Sequence, residues 1–276
     1  MYTVARHLRV AFRQFGKAPV FSLAIVLTLA LGIGATTAIF SLVEGVLLRP
    51  LAFRDADRLV LLGDHIGSAR QVGVTAHEIA IYASATRAFS SVGGYAGRSY
   101  ELSGGAQPEV VHAARLTASV FPTLGVEPVL GRVFTREEED AHQPLAVISY
   151  PLWVDRYHHD PQVVGAQIVL DRKAYTIIGV MPRGFEFPLQ PGRLDQPRLW
   201  VPMSLTAEDL ADASAGCWCY HMIARLGDGV TLQQAAQDAD RVAKDIMRNF
   251  PASLAAIHIR GDVTPLLESR WLVPVF

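Results

Sequence analysis

Between Lys17 and Glu44 the chain carries no charged residue, and residues 21–42 form an almost wholly apolar run, FSLAIVLTLALGIGATTAIFSL. A helix rises about 1.5 Å per residue, so roughly 20 apolar residues cross a hydrocarbon core of about 30 Å. Arg6, Arg9, Arg13 and Lys17 precede the run with no acidic residue among them. Basic flanks stay on the cytoplasmic side, so the remainder of the chain is sent outward. The sequence predicts a cytoplasmic basic segment at 1–19, a transmembrane helix at 20–48 and an extracytoplasmic body at 51–276.

Two other readings of the opening stretch compete. A cleaved signal peptide also starts basic and turns apolar, but its apolar region usually runs about 7–15 residues. Here more apolar chain, 39–42, follows the small-residue patch at 34–38. A buried helix of a soluble body would keep a polar stripe toward solvent, and the run has none. Length and composition favour the retained anchor. Ala30, Gly34 and Ala38 recur every four residues and stack small side chains on one face. In lipid such a face lets another helix approach closely, so these three are the candidate packing residues. Gly and Ala are also simply frequent in membrane helices, and pattern alone leaves both readings open.

The roughly 225 residues beyond the anchor suffice for one large domain or two smaller ones. A formal net charge of -1 offers no basic field for nucleic acid. The two cysteines, Cys217 and Cys219, are too few to frame a disulfide-built module, so the body must fold on its own core. At i and i+2 on a strand they would point the same way at a fixed spacing, which suits a disulfide poorly. They are expected to be reduced and partly buried. Sharing one face with His221 as metal ligands is the alternative, but zinc needs further ligands and the sequence shows no second cluster.

Along the body, short strands alternate with helices. Strands are expected at 59–62, 92–95, 100–102, 110–116, 145–149, 168–170, 175–180, 198–201, 220–226 and about 255–263, with Gly104-Gly105 breaking the chain. Thr75-Ala-His-Glu78 and Thr135-Arg-Glu-Glu138 are capping boxes opening helices. Gly125 ends a short helix near 118–124, and another helix is expected around 152–157. Asp171-Arg-Lys-Ala174 reads as a hairpin turn. After Thr231, Leu232, Ala235, Ala236, Ala239, Val242, Ala243, Ile246 and Met247 keep helical spacing until Pro251. The pattern is that of an α+β body carrying an insert.

A search for chemistry returns absences. No phosphate-binding loop, nucleophile elbow or His-Glu-x-x-His helix is present. The acidic run at 137–140 reads as a solvated first helical turn, favoured there by the dipole. His158-His159 reads as a polar helix end, since neighbours on a helix point about 100° apart. Asp155 and Arg156 are expected to be surface charges of that helix. No catalytic, cofactor-binding or metal residues are assigned.

Ordered matches then run through most of the chain. They are Ala-Phe-Arg-Gln-Phe at 11–15, Leu-Thr-Leu-Ala-Leu-Gly-Ile-Gly-Ala at 27–35, Thr-Ala-Ile-Phe-Ser at 37–41 and Val-Leu-Leu-Arg-Pro-Leu at 46–51. Phe-Pro-Thr-Leu-Gly-Val at 121–126, Leu-Gly-Arg-Val-Phe at 130–134 and Asp-Pro-Gln-Val-Val-Gly at 160–165 follow. Tyr-Thr-Ile-Ile-Gly-Val-Met-Pro at 175–182 and Ala-Arg-Leu at 224–226 complete the series. On these motifs the sequence resembles the MacB-like periplasmic core domain of ABC-transporter permeases, the large orphan permeases related to MacB and FtsX.

The resemblance implies one N-terminal transmembrane helix followed by a periplasmic porter-like α+β domain with a β-rich insert. The porter-like part would be about 51–135 and 218–265, and the insert about 140–205. It implies a non-enzymatic relay of ATPase-driven motion across the bacterial inner membrane, with no cofactor. Membrane lipid, an ABC ATPase subunit, further permease helices and a homodimer are the implied partners. Such permeases continue into three more helices, and this chain stops at 271–276, about where the second should begin. It is therefore expected to be a truncated permease. A stand-alone, membrane-anchored periplasmic binding or adaptor module is the alternative, and an anchored periplasmic enzyme the third reading.

Overall fold

In the computed structural model, residues 19–43, 53–69, 73–104, 108–188, 196–211, 214, 216–248 and 257–269 are described. The chain divides into two units, residues 1–50 and 51–276. The first contains helix α1, Pro19–Val43, whose 25 residues carry no charge. Val20, Leu23, Val26, Leu27, Leu29, Leu31, Ile33 and Phe40 are each more than half exposed on it. Among the described residues no helix counts as long and apolar enough to cross a membrane. The side chains at 19, 21, 22, 25, 39 and 41–43 lie outside those described.

The second unit is organised by one ten-stranded sheet among the described residues, in the order β10-β1-β9-β2-β3-β8-β5-β7-β4, with β6 joining β2 and β7. The strands are β1 Leu59–Ile66, β2 Phe89–Ser103, β3 Glu109–Leu116, β4 Leu130–Gly131 and β5 Leu145–Ile148. They continue as β6 Gln167–Leu170, β7 Lys173–Val180, β8 Leu199–Pro202, β9 His221–Leu226 and β10 Ile259–Pro265. Helices α2 Ala76–Ala85, α3 Val120–Leu124, α4 Arg136–Asp140, α5 Tyr150–Tyr157, α6 Leu232–Arg248 and α7 Leu266–Ser269 complete the body.

Two halves meet in β2. Its N-terminal part pairs antiparallel with β9, and β9, β1 and β10 continue outward as an open antiparallel sheet. Side chains alternate across this sheet at period two. Val60, Leu62, Met222 and Ala224 meet α2 and α6 through Ile79, Tyr82, Ala235, Ala239 and Val242. Leu59 and Ile223 face the other way, toward α3 and the aromatic cluster of Phe121, Phe134, Phe185, Phe187 and Trp200. The remainder of β2 pairs with β3, then β8, β5, β7 and β6 follow, and β6 returns to β2 at Leu102↔Leu170. These six strands close a small barrel, which removes their edges. Leu102, Val111, Ala146, Ile148, Ile168, Leu170, Ile177 and Leu199 fill one continuous apolar core there.

The sequence expectation of two short strands at 92–95 and 100–102 is corrected to a single 15-residue strand. Gly93 and Gly94, inside the expected first strand, serve close packing. A Cβ on Gly93 would sit 2.6 Å from Val120 of α3, and one on Gly94 would sit 2.8 Å from Ile79 of α2. Glycine in a strand interior marks such close approaches. The other expectations hold with small shifts in their ends. The Thr135–Glu138 capping box forms with both its bonds, and at Thr75 the Glu78 carboxyl accepts the Thr75 N–H. Gly125 caps α3 at φ 68, and Asp171 and Arg172, both at positive φ, make the two-residue hairpin turn between β6 and β7.

Candidate functional site

The chain reaches the body through residues 53–58 and leaves it through β10 and α7, and both segments lie at one end of the open sheet. The register sets this: Val60 faces Pro265, and antiparallel pairing continues to Ile66 and Ile259. The incoming segment is held in three ways. Phe53 is buried, with its ring edge-on to Phe185 and Phe187 at 6.2 and 6.4 Å. Arg54 N–H donates to the Leu124 carbonyl at the end of α3. Arg225 of β9, only 6% exposed, reaches three carbonyls with one guanidinium. Its Nε donates to Thr123 O at 3.0 Å, Nη1 to Asp55 O at 3.2 Å and Nη2 to Arg54 O at 2.5 Å.

Burial, and then the charge of Arg54, lowers the Arg225 pKa, yet a guanidinium stays protonated in proteins. Its planar fork of five donors suits it to holding several carbonyls at once. Arg58 adds a bond to Leu226 O and an ion pair with Asp228. On the outgoing side Leu266 of α7 is buried in the same core as Phe53 and Leu59. The arrangement ties the incoming segment to β9 and α3 and the outgoing segment to the same apolar core.

A second polar cluster lies inside the open half. Asp64 of β1 and Glu78 of α2 are both fully buried. Glu78 Oε2 accepts the Thr75 N–H at 2.6 Å, and Asp64 Oδ2 accepts the Trp218 indole N–H at 2.6 Å. Asp64 Oδ1, Glu78 Oε1 and Thr75 Oγ1 are buried without a partner. Burial, and then the charge of Glu78, pushes the Asp64 pKa up to about 9, and burial raises Glu78 as well. Two carboxyls this close in a dry site cannot both ionise cheaply, so the pair retains a proton.

Of the residues singled out in the sequence, Ala30, Gly34 and Ala38 are exposed on α1, and a Cβ on Gly34 would meet nothing within 4 Å. Arg6, Arg9, Arg13 and Lys17 lie outside the described residues. The expectation of reduced, partly buried cysteines is corrected: Cys217 and Cys219 are joined in a disulfide, and both are exposed. The strand argument fails because 217–219 is loop, free of the pleat, and its Cα–Cα separation of 5.2 Å lies in the range a disulfide accepts. With the sulfurs bonded to each other, no metal face with His221 forms; that ring stacks on Tyr95 at 5.3 Å.

The acidic run is not purely a solvated turn either, since Glu139 is half-buried and accepts the Ala118 N–H at 2.7 Å. His158 caps α5 in the left-handed region, and His159 packs edge-on to Trp153 at 4.7 Å. Asp155 pairs with Arg198, and Arg156 donates to the Ser103 carbonyl. Among the described residues no three metal-ligating side chains converge.

Sequence reading missed Arg225 and the Asp64–Glu78 pair. The signal for Asp64 was present, because it follows Val60 and Leu62 in the period-two phase of a buried face. Glu78 was read as a cap, which it is, without the further inference that a cap can also be buried.

The model of the MacB-like periplasmic core domain family matches residues 22–242. Several solved structures share the fold. The extracellular domain of the noncanonic ABC-type transporter YknZ from Gram-positive bacteria is 13% identical, covering 75% of this chain and 99% of that one with a TM-score of 0.53. A domain attributed to a permease of Porphyromonas gingivalis is 15% identical over 78% and 92%, with a TM-score of 0.58. The periplasmic region of MacB from Actinobacillus actinomycetemcomitans is 11% identical over 80% and 94%, with a TM-score of 0.55. No curated protein matches the chain.

Proposed function

Since this chain belongs to the MacB-like periplasmic core domain family, making it a non-catalytic, permease-type transport component, we propose that its body is a mechanical relay driven through α1. The observation that carries the reading is the pairing of the incoming and outgoing strands. A pull on either connecting segment is delivered to neighbouring strands of one sheet, and Arg225 ties the incoming segment to β9 and α3.

The anchor role of α1 rests on its 25 uncharged residues, about 37 Å at 1.5 Å per residue. That exceeds the hydrocarbon thickness of about 30 Å. Its exposed Leu, Val and Ile side chains want lipid or other helices around them. Length and absence of charge weigh more here than its failure to register as a span among the described residues. With Arg6, Arg9, Arg13 and Lys17 on the cytoplasmic side, the protein is single-pass in the bacterial inner membrane, its body periplasmic.

The Ala30-Gly34-Ala38 face receives further permease helices supplied by another chain, and an ABC ATPase supplies the motion. A homodimer is the expected assembly. The body is divided into a porter-like part, about 51–135 and 218–265, and an insert at about 140–205, whose apolar core also takes Leu102 and Val111 from the first part.

The two cysteines test the topology. After mild reduction, a membrane-impermeant maleimide should label Cys217 and Cys219 in intact spheroplasts; labelling only after lysis would overturn the periplasmic placement. Purification of the full chain from its native membrane should bring down an ABC ATPase, and purification without one would overturn the relay.

A further inference from the structure

The loop bearing Cys217, Trp218 and Cys219 is tied to the body by specific contacts. Val74 and Tyr220 exchange backbone hydrogen bonds, Val74 N–H to Tyr220 O at 2.8 Å and Tyr220 N–H to Val74 O at 3.2 Å. Gly73 lets the loop come close, since a Cβ there would sit 2.5 Å from the Trp218 carbonyl. Trp218 then sends its indole N–H inward to Asp64. The two flanking cysteines stay at the surface and are bonded to each other. A disulfide across one intervening residue fixes the backbone that aims that residue's side chain. Here the residue it aims is the donor to a buried carboxyl.

We propose that the Cys217–Cys219 disulfide is a redox-sensitive clasp that holds the Trp218 indole on the buried Asp64–Glu78 pair, and that reduction by a dithiol releases this loop and loosens the first turn of α2. The step is thiol–disulfide exchange. A reductant thiolate attacks one cysteine sulfur, the Cys217–Cys219 bond breaks, and the other sulfur leaves as a thiolate and takes up a proton. The reductant's second thiol resolves the mixed disulfide. Two protein thiols and one reductant disulfide result, with two electrons transferred. Both cysteines are exposed residues, open to a reductant from solvent.

Opening the bond returns conformational freedom to Trp218, and the indole N–H is no longer pinned at Asp64. The carboxyl pair then sits among apolar and like-charged neighbours. Glu78 and Tyr82 face it from α2, and Asp238 and Asp240 of α6 act on Tyr82 behind them. The Thr75 N–H still donates to Glu78, and Glu78 fixes the first turn of α2 through that bond. Loss of the indole bond therefore weakens the site that anchors α2 to β1.

The test uses the full chain in detergent, with hydrogen exchange followed by mass spectrometry before and after dithiothreitol. Reduction should accelerate exchange in segments 74–85 and 214–220 by about three- to tenfold, the factor a lost neutral hydrogen bond produces. Exchange in the barrel, 145–180, should not change. In Trp218→Phe the α2 segment should exchange fast in both states and no longer respond to the reductant. Unchanged exchange of 74–85 on reduction of the natural chain overturns the proposal, as does finding two free thiols in protein prepared under oxidising conditions. Neither result bears on ATPase association, so the clasp and the relay can fail independently.

Discussion

The open half of the sheet, from β10 to the first part of β2, buries Asp64, Glu78 and Arg225, whereas the barrel formed by the rest of β2 with β3, β8, β5, β7 and β6 has no buried carboxylate or guanidinium among the described residues. Both are parts of one sheet and share one strand. An apolar core packed to crystal-like density has one good arrangement and resists change. A buried ion or a shared proton has partners that can be exchanged, so its neighbourhood can occupy two states. The half that holds the chain's two connecting segments is also the half with such groups. The barrel reads as the stiff member and the open half as the member that yields.

The strongest test of this contrast is a cavity in the barrel. Leu102→Ala removes a fully buried side chain packed on Leu170 and should cost about 2–5 kcal/mol, equally at pH 5 and pH 8, as read by urea denaturation. A cost that varied with pH would break the comparison.

Arg225→Met keeps the volume but strips the donors from Thr123 O, Asp55 O and Arg54 O. It should cost about 1–3 kcal/mol, again without pH dependence, and should raise hydrogen exchange across 53–58 more than across the barrel.

Gly261→Ala puts a Cβ 2.5 Å from the backbone of Ala239, where α6 rests on β10. Overpacking should cost about 1–3 kcal/mol, with the loss confined to exchange of α6 and β10.

Asp64→Asn acts in the opposite direction. The folded state binds the Asp64 proton more tightly than the unfolded chain does, so its contribution is complete below about pH 4 and is lost as pH rises toward 9. Asn cannot ionise, and its amide oxygen still accepts the indole N–H. The variant should therefore gain about 1–2 kcal/mol at pH 8, no more than match the natural chain at pH 4, and show a flatter stability profile between them. Equal slopes in both proteins would place the titration elsewhere.

The smallest effect is expected at the surface. Arg132→Ala breaks an exposed pair with Glu138, whose carboxyl Arg132 holds below the usual range, and should change stability by less than about 1 kcal/mol.

Much of the fold was readable because local signals agreed with it. The Thr75, Thr135 and Thr231 caps, the Gly125 stop, the Asp171-Arg172 turn and the 3.6-residue stripe of α6 are short-range patterns, and each forms where expected. What failed was long-range. The expected gap at 96–99 vanishes only because β3 and β9 pair along the whole of β2, while α3 and α2 press on Gly93 and Gly94. Cys217 and Cys219 look like strand residues until 217–219 is known to be loop. Closure of the barrel through Leu102↔Leu170 joins residues far apart in sequence, which no local pattern encodes. The buried pair lay hidden for the same reason: Asp64 and Glu78 meet only once α2 has folded over β1.

One consequence of the β1–β10 pairing reaches beyond movement. Because Val60 and Pro265 sit on adjacent strands, only about 4.8 Å separates the backbones through which some two hundred residues are reached. To whatever flanks it, such a body is a graft on a hairpin. It could be excised and replaced by a short turn, or transplanted between two helices of an unrelated chain, without stretching either junction. Such modularity is in keeping with the recurrence of this fold on a chain only 11% identical to this one.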